Sequence, residues 1–474
     1  MKQYNANVCI IAAGPAGLAA AVTAAEEGLS VIVLEKAPTA GGTANMGMGP
    51  FGVESRLQKA NMINLTKEEV FLKMMEYNHW RVDARKVREY IWKSGSTIDW
   101  LEDMGVVFAG AMKYFPTAQP TWHVVQPEGG GRPGPRSASV MNKAMYNNAL
   151  DQGVEFLFNT PASALIKENG KVVGARANDL NTGEEIEVRA EAVIVATGGF
   201  GNNPEMIRSE CGYEFGRDIF NFAVPGITGD GVRMVWEAGG AHGDTTMEMV
   251  MGSGIPNDEV SNVLRQPSTM VVNRDGLRVM DETIIENGAV VCNIIAQQPD
   301  LKLYAIADDK LIRRFRKNGV DYPSGVFHGD PTEGFEEHME ELAQQCPEYA
   351  FVADSPEELA EKIGMPVDTF VDTLDEYNDA CDEHIDDLFC KHHRYLHALR
   401  GKKYYAVAIC LGGYGSLGGI KTNYKFEVLG TDNKPIPGLY GAGSDTCDIY
   451  DGTYPFIYPG NTMGYAVNSG RLAA

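Results

Sequence analysis

The feature that most constrains this chain is a glycine loop set between an apolar run and a helix of small residues. Residues 7–12 (NVCIIA) and 31–35 (VIVLE) flank a stretch from Pro15 to Glu27, and Gly28 follows it. That spacing predicts a βαβ unit with a glycine stop at the helix end. The loop, Ala12-Ala13-Gly14-Pro15-Ala16-Gly17, has the dinucleotide fingerprint's second and third glycines, whereas Ala12 stands in place of the first. Gly14 lets the backbone approach a pyrophosphate, and Gly17 lets the helix pack closely on the sheet. The helix N-terminus offers unpaired N–H groups to phosphate. Alanine at the first position is tolerated if that turn keeps φ negative. Glu35 ends the second strand about 20 residues after the loop, where a carboxylate accepts hydrogen bonds from a ribose. Dinucleotide binding is the expectation.

The rest of the chain must accommodate that unit. With 474 residues, two or three substructures are expected. Residues 66–104 have the pattern of one amphipathic helix, followed by a glycine- and proline-rich loop at 127–136. Residues 154–197 alternate like a β meander, with Asn169-Gly170 as a hairpin turn. From about 245 to 405 helical patterns dominate, notably 355–378, whose Ser355-Pro356-Glu357-Glu358 start is a capping box. Residues 406–474 return to strands and glycine turns, with a last helix near Thr462–Ala473, and are expected to complete the first sheet.

Composition narrows the partners. A formal net charge of -23 opposes nucleic acid and anionic membrane surfaces. No apolar run is long enough to span a bilayer, and the first residues lack a secretory pattern. The eight cysteines form no CxxC, so no metal or iron–sulfur pattern is present. Reduced thiols in a cytoplasm are the expectation.

Further segments carry a family resemblance. Gly41-Gly42-Thr43-Ala44-Asn45-Met46, Ala196-Thr197-Gly198-Gly199-Phe200, Thr228-Gly229-Asp230-Gly231 and Gly438-Leu439-Tyr440-Gly441-Ala442-Gly443 occur in this order. Together with Val272-Asn273 to Asp281-Glu282, they resemble the flavoprotein subunits of fumarate reductase and succinate dehydrogenase. The resemblance implies an α/β fold: a Rossmann-like FAD-binding domain (1–244 and 406–474) with an inserted α+β capping domain (245–405). It implies non-covalent FAD, since no histidine lies in 38–60. It places Ala13, Gly14, Pro15, Ala16, Gly17, Glu35 and Lys36 at the first FAD loop, and Gly42, Thr43 and Ala44 at the second. Ala162 would meet the adenine. Ala196, Thr197, Gly198, Asp230, Gly443 and Asp445 would line the remainder, with Asn461, Thr462 and Met463 at the flavin's pyrimidine edge. No second fingerprint appears, so a separate electron donor, a redox protein or reduced flavin, is left open.

The family's dicarboxylate clamp is where the chain departs. Glu286 stands where relatives carry a proton-donating arginine, about Gly415 where they carry a histidine, and 454–460 holds no arginine. A carboxylate cannot clamp a dianion. One cation remains, Arg265, eight residues before Asn273. Tyr450, Tyr454, Phe456 and Tyr458 precede the last helix, with Tyr404, Tyr405 and Tyr414 nearby in sequence. The Tyr-Pro…Pro-Gly run resembles ketosteroid dehydrogenases of the same superfamily, in which a tyrosine and a backbone N–H polarise a ketone. Tyr454 and Tyr458 compete for that role, and packing of two domains is the alternative for the group. Tyr114 and Trp122-His123 are further candidates for a pocket wall. Arg278 is expected to brace the capping block, and Cys390-Lys391-His392-His393 to lie at the surface or in packing. Three readings stay open: an ene-reductase or dehydrogenase for an apolar or aromatic enone or enoate, a reductase of a small unsaturated carboxylate held by Arg265, and an electron-transfer subunit.

Overall fold

The run of apolar residues at the start forms the strand Lys2–Ile11, buried from Val8 onward at the centre of an eight-stranded sheet. The computed structural model describes residues 1–222, 224–252, 254–255, 260–322 and 331–474. Lys2–Ile11 pairs in parallel with Val31–Leu34 on one side and with Glu185–Val195 on the other. Glu155–Leu157 and Pro435–Gly441 extend the parallel core on its two flanks; of the segment expected to complete this sheet, 406–420 instead belongs to the strand Tyr404–Ile420 of a six-stranded second sheet. Glu427–Leu429 closes one edge antiparallel.

Three expectations from local pattern are corrected. Only Ala162–Glu168, Lys171–Asn178 and Glu185–Val195 form a meander; its first turn has positive φ at both Asn169 and Gly170. Glu155–Leu157 belongs instead to the parallel core, because a three-residue strand has too few positions to show a period. The helix over 66–104 is two helices, Lys67–Tyr77 and Ala84–Asp103. Asp83 ends the break by accepting from the N–H groups of Arg85 and Lys86. Similarly, 355–378 divides into Pro356–Ile363 and Val367–Glu383, because Gly364 takes φ +81° and Pro366 cannot continue a helix.

The chain sorts into two units. The first comprises Met1–Gly212, Phe222–Glu248 and Tyr414–Ala474; the second comprises Tyr213–Asn221 and Met249–Gly413. In the second, Lys302–Asp308 lies between Met270–Val272 and the strand that begins at Tyr404, and Tyr404 and Tyr405 belong to that sheet. A buried ionic cluster holds this unit. Arg278 bonds both carboxylates Glu282 and Asp386 at 2.9–3.1 Å, and Lys391 Nζ reaches Glu282 at 3.2 Å and donates to Thr269 O and Tyr377 Oη. Arg278 therefore braces the block, and Lys391 is part of the brace while Cys390, His392 and His393 are exposed.

The glycine loop holds one surprise. Ala12 has φ +85°, not the negative value at which alanine would be tolerated. The turn from strand to helix keeps the geometry that glycine usually supplies, and an alanine Cβ is crowded there. Ala12→Gly should therefore stabilise the fold by about 0.5–1 kcal/mol, the relieved strain exceeding the added chain entropy. A higher urea midpoint at unchanged m would show it; an unchanged or lower midpoint would contradict it.

Candidate functional site

The carboxyl ends of the parallel strands meet in one row, the usual place for a ligand on such a sheet. Ala12 N donates to Leu34 O, Ala196 N to Ile11 O and Ala442 N to Val195 O, at 2.8–3.0 Å. Beyond the first strand, Gly14 caps the helix Pro15–Glu26 with no side-chain cap, so the first-turn N–H groups face outward unclaimed by a side chain. A Cβ on Gly14 would meet nothing within 4 Å, so a ligand has room there. A Cβ on Gly17 would lie 1.9 Å from Ala12 O, so only glycine fits. Pro15 and Ala16 complete this first turn.

Glu35, 7% exposed, accepts from Ala13 N at 2.6 Å and Ala37 N at 2.7 Å, tying the loop to the end of the second strand. Thr160 N donates to Glu35 O, which brings the strand start at Ala162 close to the same end. The second glycine loop returns to the first through Gly41 N to Ala13 O at 2.8 Å. Gly42, Thr43 and Ala44 open the 3-10 turn Gly42–Met46. Asn142 Nδ2 holds this loop through Gly41 O and Asn45 Oδ1, while the buried Asn142 Oδ1 has no partner among the described residues. An acceptor orphaned beside a glycine cradle is a feature that a bound polar ligand would satisfy.

Farther along the row, Asp445 is fully buried. It accepts from Thr197 N at 2.5 Å, Thr197 Oγ1 at 2.9 Å and Gly199 N at 2.7 Å. It thereby fixes Gly198 at φ +86°, next to Gly443 at φ +72°. Lys36 and Asp230 form an ion pair at 2.5 Å, each about one-third exposed, with Thr228 bridging them. Asn461, Thr462 and Met463 form the first turn of the last helix, Asn461–Ala473, which Gly460 caps without a side chain. The Asn461 side chain is committed inward: it accepts from Tyr90 Oη and donates to the carbonyls of Pro455 and Tyr458.

Above that helix start lies a polar group within an aromatic wall. Tyr454 Oη accepts from Thr462 N at 3.3 Å, and Thr462 Oγ1 donates to Glu248 Oε1. Burial raises the Glu248 carboxyl to about 7 against the Thr462 hydrogen bond that lowers it. Burial likewise pushes the Tyr454 phenol up, so it stays protonated at neutral pH. Tyr114 packs on Phe456 at 4.6 Å and on Trp122 at 5.5 Å. Tyr414 stacks on Phe222 and keeps 38% of its surface exposed.

The structure separates the sequence candidates. Tyr454 and Tyr114 both pack on Phe456 and Tyr414 packs on Phe222, whereas Tyr458 packs edge-on against Phe51. Arg265 lies in the second unit and donates to Gly252 O at 3.0 Å. His123 is a packing residue: Nδ1 must donate to Thr121 O, so Nε2 accepts from Ser55 Oγ, and burial lowers its pKa to about 4. Sequence reasoning missed Glu248. Its signal was a carboxylate in the run Met247-Glu248-Met249, between two buried methionines of one strand.

Known proteins resemble this chain in sequence and fold. A family described as "FAD binding domain" matches residues 7–461. The vinyl phenol reductase of Lactiplantibacillus plantarum is 31% identical, over 99% of this chain and 96% of its own length. The cytochrome-type fumarate reductase of Shewanella frigidimarina is 27% identical, over 98% of this chain and 76% of its own. Among solved structures, a 3-ketosteroid-Δ4-(5α)-dehydrogenase of Rhodococcus jostii aligns with a TM-score of 0.78 at 23% identity. That alignment covers 100% of this chain and 96% of the other.

Proposed function

The chain belongs to the FAD binding domain family, and from that premise we propose that it reduces a C=C bond conjugated to the oxygen of a flat, apolar or aromatic molecule. As a flavoprotein it is an FAD-dependent oxidoreductase acting on carbon–carbon bonds. The two glycine loops, the uncapped helix start at Gly14 and the orphaned Asn142 Oδ1 fit a dinucleotide. Asn461–Met463 would present N–H groups to the flavin's pyrimidine edge, where a helix N-terminus stabilises negative charge. Bound FAD supplies the hydride, through N5; the protein must orient the substrate, polarise it and handle a proton.

The observation that carries the reading is the aromatic wall in which Tyr114 and Tyr454 both pack on Phe456, beside the Thr462 N–H that Tyr454 Oη accepts. No Arg, Lys or His occurs from 449 to 460 to clamp a dicarboxylate. Aromatic rings support a flat substrate while phenols bond its oxygen. An enone and a vinyl phenol share that chemistry, because conjugation lets the oxygen accept or release electron density as the double bond is reduced. The likeness to vinyl phenol reductase supports extending the class from carbonyls to phenols. Tyr454 is the better placed of the two competing tyrosines, since its hydroxyl accepts from Thr462 N at the helix start.

The test is anaerobic. Reduced, FAD-loaded protein is mixed with an enone, 4-vinylphenol, an aromatic enoate and fumarate while the flavin spectrum is followed. The conjugated aromatic or enone members should reoxidise the flavin and fumarate should not. Tyr454→Phe should slow reoxidation by about 10²-fold or more at unchanged flavin content. Fast turnover of fumarate alone would overturn the reading, and no response from any member would remove the C=C assignment. Arg265→Ala should leave the neutral substrates unaffected; loss confined to the enoate would favour a carboxylate anchor.

A further inference from the structure

We propose that Asn142 is a ligand of the cofactor: its side-chain Oδ1 accepts a hydrogen bond from a hydroxyl of the sugar chain flanking the FAD pyrophosphate. The inference uses FAD binding alone and holds whatever substrate the flavin reduces.

Packing gives no reason for an asparagine at this position. Asn142 lies on the helix Ser139–Asp151, whose buried residues are Met141, Asn142, Met145 and Ala149. Asn142, Met145 and Ala149 follow the i, i+3, i+7 spacing of one helix stripe, and Asn142 is 2% exposed. An apolar side chain would fill that stripe at lower cost, because a buried amide needs partners for its oxygen as well as its nitrogen.

Only the nitrogen half of this amide is matched. Nδ2 donates to Gly41 O at 3.2 Å and to Asn45 Oδ1 at 2.8 Å, and Asn45 Nδ2 in turn donates to Ala40 O at 3.1 Å. Gly41 O and Ala40 O are backbone carbonyls, which only accept, so both amides can stand only this way round. The group left over on Asn142 is therefore an acceptor, Oδ1, and it has no partner among the described residues. A buried acceptor in that state calls for a donor from outside the chain.

What lies beside Asn142 limits the chemistry of that donor. Gly41 N donates to Ala13 O, and a Cβ on Gly42 would stand 3.3 Å from Gly14 Cα. The loop that Asn142 holds thus presses on the turn expected to carry the pyrophosphate. Phosphate oxygens accept and cannot serve Oδ1. The donors of oxidised FAD are the adenine amino group, the flavin N3–H and the hydroxyls of ribose and ribitol. The amino group would sit near Ala162 and N3–H near Asn461–Met463, at the two ends of the cofactor. Next to the pyrophosphate only hydroxyls remain. One such bond satisfies Oδ1 and, through the same amide, ties the second glycine loop to the bound cofactor.

Binding, measured without turnover, tests this. Asn142→Leu should hold FAD about 10–100-fold more weakly, the effect of removing a partner from a buried hydrogen bond. The flavin fluorescence that appears as the holoenzyme releases FAD reads it. FMN and ADP, titrated into the full chain stripped of FAD, identify the hydroxyl, since FMN carries ribitol without ribose and ADP carries ribose without ribitol. Weakening of FAD and FMN but not ADP assigns the ribitol; weakening of FAD and ADP but not FMN assigns the ribose. Asn45→Ala removes part of the loop's hold without touching Oδ1 and should weaken FAD less than Asn142→Leu does. Asn142→Ser, whose side chain is too short to replace Oδ1, should repeat the result if Asn142→Leu does not fold. Equal weakening of FAD, FMN and ADP would mean that Asn142 only shapes the loop, which overturns the proposal. Unchanged FAD affinity in either Asn142 variant overturns it as well, with a buried water as the partner of Oδ1.

Discussion

Gly17→Ala is expected to yield a colourless protein that no longer retains FAD and unfolds at much lower urea. The added Cβ would stand 1.9 Å from Ala12 O and 3.3 Å from the Ile10 side chain. The nearer obstacle is backbone, so no rotamer change removes it. Relief would require the helix Pro15–Glu26 to lift from the sheet, at a cost of roughly 3 kcal/mol or more. That is a large part of the 5–15 kcal/mol of a typical domain. The lift would also move the first-turn N–H groups away from the pyrophosphate they are expected to hold. Flavin absorbance per chain and the urea midpoint measure the two effects. A yellow Gly17→Ala protein of normal midpoint would show that the helix does not rest on this contact.

Asp445→Ala should have a comparable effect by another route. Its carboxylate accepts from Thr197 N, Thr197 Oγ1 and Gly199 N, in a position with no exposure. Alanine would leave three donors without that acceptor, each costing about 1–3 kcal/mol unless water enters. The total loss should be about 3 kcal/mol or more, and the turn 197–199 should loosen beside the flavin site. Asp445→Asn is expected to recover only part of the loss, because its amide must turn an N–H₂ toward N–H donors. Thermal unfolding with and without added FAD would separate the two costs: excess FAD should narrow the gap by mass action. An Asp445→Ala protein as stable and as yellow as wild type would contradict the account.

How far the sequence could lead differs between the two halves of the site. The FAD side was legible because it is built from backbone. Gly14, Gly17, Gly41 and Gly42 mark places where a chain must turn or come close, and those needs act over a few residues. Glu35 was legible for the same reason, being a strand end at fixed distance from its loop. Even here the conformation of Ala12 was not, since an alanine letter does not disclose a φ of +85° imposed by the neighbouring strand and helix.

The substrate side required the tertiary structure. Tyr454 and Tyr458 are four residues apart, and their order in the chain gives no reason to prefer either. The fold turns Tyr458 onto Phe51 and brings Tyr454 to Thr462. Glu248 and Thr462 are 214 residues apart, and only strand and helix packing makes them partners. Single-helix patterns over 66–104 and 355–378 missed breaks that caps and a left-handed glycine impose locally. By itself the sequence determined the sheet's first unit and the glycine cradle, because these depend on residue type and short spacing. Which tyrosine faces the helix start, and that a carboxyl group waits beside it, depended on long-range packing. Burial then converts Glu248 from an ordinary surface acid into one that holds its proton near neutral pH.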